Sequence, residues 1–68
     1  MSGDQVHIYS TGLPYVAELI RQMLENHSIR TFIVNKQDSA VKIGDIELYV
    51  HRDNVIRAKM LIREFEEN

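Results

Sequence analysis

The chain has no cysteine, so neither disulfides nor Cys-ligated zinc can reinforce it and burial must hold the fold by itself. No apolar run approaches the roughly 18 residues needed to span a bilayer, which argues against a membrane helix. Met1-Ser2-Gly3-Asp4-Gln5 has neither the basic start nor the apolar stretch of a signal peptide. With cysteine absent as well, a cytoplasmic protein is expected. An excess of one charge is also missing: ten acidic and eight basic residues give a formal net charge of −2, which provides no general attraction for phosphate backbones.

Catalytic patterns are equally scarce. Ser10, Thr11 and Ser39 are the hydroxyl nucleophiles, and none has a histidine at a motif spacing. Gly12 stands without the Gly-rich, Lys-Ser/Thr pattern of a phosphate loop. No catalytic residue is assigned, and the chain is expected not to be an enzyme. His7, His27 and His51 are the only soft metal ligands, without close His/Asp/Glu spacing. Neither a metal nor a cofactor is expected; His27 reads as a residue that caps or packs, and Asp53 as a helix cap.

What is present is periodicity. The 68 residues allow one domain, 1–68, with 1–5 flexible and 66–68 a fraying helix end. After Gly44-Asp45, the segment Ile46-Glu47-Leu48-Tyr49-Val50 alternates strictly. As a strand it turns Ile46, Leu48 and Val50 one way and Glu47 and Tyr49 the other. Val6-His7-Ile8-Tyr9-Ser10 also alternates, with Val6 and Ile8 inward and His7 and Tyr9 outward. Ile29–Asn35 is β-branched and aromatic. Its preferred register turns Ile29, Thr31 and Ile33 inward and leaves Phe32 and Val34 outside; a one-residue slip exchanges the faces.

Helical spacing fills the gaps. From the only proline, Pro14, which suits a first helical turn, Val16, Ala17, Ile20, Met23, Leu24 and His27 share a face, and Asn26-His27-Ser28 ends it. Past Asp53, the residues Val55, Ala58, Leu61, Ile62 and Phe65 form a second stripe, with Ile56 and Met60 nearly opposite. The order β-α-β-β-α gives an α+β, ferredoxin-like fold: a three-stranded antiparallel sheet, order 1-3-2, with two helices on one face. No fourth strand follows to cover the first, so its edge is expected to be open to another chain.

The candidate interaction surface is therefore His7, Tyr9, Phe32, Val34, Glu47 and Tyr49 on the outer sheet face, with Ile56 and Met60 on the last helix. An unidentified protein partner or self-association is expected, as a dimer through the first-strand edge or the sheet face. Nucleic acid is the less favoured partner of an aromatic face, since Glu47 sits mid-face and no RNP-type segment is present. Lys36 to Ile43 forms a loop in which Lys36, Gln37, Asp38, Ser39 and Lys42 are the candidate contacts for an anionic metabolite or nucleotide.

These residues resemble a known family. Ile8-Tyr9-Ser10-Thr11, Pro14 with Ala17-Glu18-Leu19 and Leu24-Glu25, Ile29 through Asn35, Gly44 through Val50, and Ala58 are similar to the small bacterial domain named putative prokaryotic signal-transducing protein. The resemblance implies a signal-transduction module of PII-like ferredoxin fold. PII proteins are trimeric sensors whose long loop between the second and third strands contacts targets; Lys36 to Ile43 takes that position and is much shorter. The PII nucleotide-binding residues have no counterparts here. Ser28 stands where a helix-ending glycine is common, and Leu13 where Asp often precedes the proline. The expectation is a small non-enzymatic binding or regulatory module acting by protein–protein contact, the alternative being a small-molecule sensor working through the loop.

Overall fold

Strict alternation makes β3 (Ile46–His51) the middle strand, and its three apolar residues Ile46, Leu48 and Val50 are all buried. The computed structural model describes residues 3–38 and 44–67. In it β1 (Gln5–Thr11) and β2 (Thr31–Asn35) flank β3, each antiparallel to it, in the order β1-β3-β2. β1 and β2 are therefore parallel, joined through α1 (Pro14–Asn26). A single 3₁₀ turn, Arg52–Asn54, leads from β3 into α2 (Val55–Glu67). This is the α+β, β-α-β-β-α arrangement that the periodicity predicts.

Both helices close on one face of the sheet. Ala17, Ile20 and Leu24 of α1 and Ala58 and Ile62 of α2 meet Ile46, Leu48 and Val50, with Ile29 completing the core. The principal extents are 35 × 34 × 15 Å, and the short dimension fits one sheet under one layer of helices. Among the described residues the other face of the sheet carries no helix.

The connections are set by local chemistry. Thr11 Oγ1 accepts the Leu13 N–H at 3.1 Å ahead of Pro14, the first helical residue. At the other end of α1, Ser28 takes φ 64°, the Ile29 N–H donates to Leu24 O at 3.0 Å, and the Ser28 N–H donates to Glu25 O at 3.0 Å. That is a Schellman cap, with Ser28 in the left-handed position usually given to glycine. Gly44 is held at φ 112°, where an added Cβ would lie 2.6 Å from Lys36 O. Only glycine fits there, and the neighbouring Lys36 N–H donates to Asp45 O at 2.9 Å.

Three expectations are corrected. The strand read from Ile29 begins at Thr31, although Ile29 is fully buried. Asp53 does not cap the last helix: His51 Nδ1 accepts the Asp53 N–H at 3.1 Å and opens the 3₁₀ turn. The third concerns Tyr9, expected on the outer face. β1 carries a bulge, since His7 pairs with Tyr49 but Tyr9 pairs with Leu48, leaving Ile8 extra. One extra residue exchanges the faces beyond it, so Tyr9 lies on the helix side and Ser10 outside. Ile8 and Tyr9 both pack against the core as a result, and Tyr9 Oη donates to Glu66 Oε2 of α2 at 3.1 Å.

Candidate interaction surface

The bare face of the sheet is built from cross-strand rows. His7, Tyr49 and Phe32 lie side by side across β1, β3 and β2, and Ser10, Glu47 and Val34 form the next row. Of the residues expected there, His7, Phe32, Val34, Glu47 and Tyr49 are brought together and Tyr9 is not. Ile56 and Met60 are exposed on α2, at 83% and 55%, on the opposite layer of the molecule. The sequence-derived set is thus two surfaces.

Across the face, polar groups occupy the β1 side and apolar groups the β2 side. The His7 ring meets Tyr49 edge-on, with centroids 5.6 Å apart, and His7 Nε2 shares a 2.6 Å hydrogen bond with Ser10 Oγ. This partner of Ser10 was not visible in the sequence, because the bulge at Ile8 is what brings positions 7 and 10 to the same face. Both residues are exposed, so water competes for the same bond. Tyr49 Oη donates to Glu47 Oε1 at 2.7 Å, and Lys36 Nζ lies 3.2 Å from the same oxygen. Tyr49 and Lys36 together hold the Glu47 carboxyl below its usual range. The same bond to Glu47 raises the Tyr49 phenol, with desolvation adding to it.

On the β2 side Phe32 and Val34 are about half exposed, and Arg30 Cζ stands 5.5 Å over the Phe32 ring. A hollow of about 390 Å³ runs over this corner, lined by Gln5, Phe32, Ile33, Val34 and Tyr49. Its lining is apolar and aromatic apart from Gln5, whose Oε1 is buried with no hydrogen-bond partner among the described residues. Such a surface suits an apolar side chain of another molecule.

In the loop, Ser39 and Lys42 lie outside the described residues. Gln37 Nε2 donates to Gly12 O at 2.6 Å and the Gln37 N–H donates to Asn35 Oδ1 at 2.8 Å, while Lys36 leans on Glu47. These bonds tie the start of the loop to the sheet and to the β1–α1 turn. His27 is exposed, with Nδ1 2.9 Å from Met23 O, and its own carbonyl accepts from Arg57 at 2.7 Å. His51 stands 3.7 Å from Asp4 and 3.5 Å from Asp53. Among the described residues no group of three His, Asp or Glu side chains is placed to hold a metal, and no helix is long and apolar enough to cross a membrane.

Against known proteins, the family model for the putative prokaryotic signal transducing protein matches residues 6–66. The chain belongs to this family. The match runs from Val6 in β1 almost to the end of α2, so the three strands of the interaction face lie inside it except for Gln5. No curated protein and no solved structure matches the chain.

Proposed function

We propose that this member of the putative prokaryotic signal transducing protein family is a non-enzymatic regulatory module that works by protein–protein contact through the uncovered face of its sheet. One observation carries the reading: Phe32, Val34 and Tyr49 form an apolar and aromatic corner around a hollow of about 390 Å³ on the face of the sheet opposite α1 and α2. Aromatic anchors beside a hollow are where interface binding energy concentrates, and an apolar patch of this kind on so small a chain supports a partner-binding role. The family name agrees with a signalling role.

An anion sensor working through the 36–43 loop is less well supported, because Lys36 is the single cation among the loop's described residues and Gln37 is held by Gly12 and Asn35. RNA is disfavoured by Glu47 in the middle of the face. The test is affinity capture from native lysate with the wild-type chain and with the Phe32→Ala/Tyr49→Ala double variant. A protein retained by the first and lost by the second supports the reading. Identical captured sets contradict it.

A further inference from the structure

β2 is an outer strand with one neighbour, β3, among the described strands. The Lys36 N–H donates to Asp45 O and so continues the β2–β3 ladder. Backbone groups alternate in direction along a strand, so Phe32 and Val34 turn theirs toward β3, while Thr31, Ile33 and Asn35 turn theirs away. The Thr31 N–H accordingly reaches Glu25 Oε2 of α1, at 3.4 Å. The Ile33 amide and carbonyl point outward at the middle of the edge. Phe32, Ile33 and Val34 are 40%, 37% and 42% exposed, three apolar residues in succession on both faces of an outer strand. That combination marks a site for strand addition.

Charge selects the occupant. Arg30 and Lys36 stand at equal distances along the strand on either side of Ile33, on the face of Phe32 and Val34: Arg30 over the Phe32 ring and Lys36 beside Glu47. A second copy of β2 laid antiparallel about Ile33 brings Arg30 of one copy opposite Lys36 of the other, twice. A parallel copy sets each cation against itself. Like charges directly opposite destabilise a strand pair, so self-pairing is disfavoured and acidic ends are favoured. The acidic side chains nearby are already engaged: Glu47, a strand further in, is bonded to Tyr49 and Lys36, and Glu25 of α1 accepts the Thr31 N–H and pairs with Arg21.

We propose that β2 accepts an extended segment of another protein as an added antiparallel strand. That segment is apolar opposite Phe32, Ile33 and Val34 and acidic opposite Arg30 and Lys36. This names the partner chemistry for the surface described above and rests on that reading.

The probe is a capped, fluorescein-labelled peptide, Glu-Thr-Val-Ile-Val-Thr-Glu, titrated with the full chain by anisotropy. It is compared with Lys-Thr-Val-Ile-Val-Thr-Lys and with the acidic peptide N-methylated at its central Ile, which removes the donor facing Ile33. The acidic peptide is expected to saturate. Each comparison peptide is expected to bind about tenfold more weakly, from two reversed charge pairs or from a lost backbone bond with its steric clash. The Arg30→Glu/Lys36→Glu variant, with its fold checked by circular dichroism, is expected to prefer the lysine-ended peptide. Equal binding of the three peptides, or none, overturns the proposal, and the N-methyl comparison needs no variant. A dimer of the chain alone in light scattering that the acidic peptide dissolves assigns the edge to a second copy and overturns it too. Failure of the peptides with capture still dependent on Phe32 and Tyr49 keeps the outer-face reading and removes only the edge.

Discussion

The two edges of the sheet are built differently. β1 has seven residues, a bulge at Ile8, and Tyr9 tied across to Glu66 of α2; a bulge is one of the devices that blunts an edge against further pairing. β2 has five residues in unbroken register with β3 and exposes apolar side chains on both faces. Coverage explains the contrast. α2 packs on β1 and β3, while β2 is covered mainly by α1. Ile33 shares a face with Leu48, its cross-strand partner, yet Leu48 is fully buried and Ile33 is not. An edge is open where side chains are left uncovered, which connectivity alone does not reveal.

Four substitutions sharpen or break this comparison. Leu48 pairs with Tyr9 on one side and Ile33 on the other, so Leu48→Ala weakens both edges together. A loss of about 2–5 kcal/mol is expected in urea denaturation. Gly44→Ala acts on the β2 side alone: the methyl meets Lys36 O and the backbone is held at φ 112°, and about 1–3 kcal/mol of strain is expected. Hydrogen exchange then speeds at Lys36 and the β2 amides before those of β1; equal acceleration in both strands breaks the contrast.

Ser28→Gly is expected to stabilise by about 1 kcal/mol, since the serine occupies a left-handed position at φ 64° where a Cβ is disfavoured. Thermal denaturation reads it as a rise in Tm. Tyr9→Phe removes one partly exposed hydrogen bond and costs about 0.5–1 kcal/mol. Its pH signature is more telling. Burial first, then Glu66, raises the Tyr9 phenol above its ordinary value of 10.0, so the folded state favours the protonated form. The contribution is complete below that value and is lost as pH rises through the higher folded value. Stability curves of wild type and Tyr9→Phe should therefore converge at alkaline pH. On the outer face the opposite sign holds for Glu47, whose lowered value gives a contribution present above the usual carboxylate range and lost in acid.

Most of the fold was legible in the sequence because alternation in Ile46–Val50 and helical spacing in Pro14–Asn26 and Val55–Glu67 state which side each residue buries. Ile8-Tyr9 was not, because its bulge carries no glycine and arises from burying two adjacent apolar side chains against one core. The cap at His51 was hidden for a similar reason: a histidine acceptor looks like no standard helix start, while Asp53 two residues on does. Of the candidate surface, Glu47 and Tyr49 followed from period two, whereas Phe32 and Val34 rested on a preferred register that consecutive apolar residues leave open and that the pairing with β3 fixes. The exposure of Ile33 required knowing where the helices end.

The central claim is that β2, not β1, offers the docking edge, and an amide-resolved NMR titration of the full chain with the acidic peptide tests it most directly. The claim predicts that the Ile33 amide shifts and becomes protected from exchange while the amides from Val6 to Ser10 stay unchanged. Shifts concentrated on Val6 to Ser10, or no protection at Ile33 under saturating peptide, would contradict it.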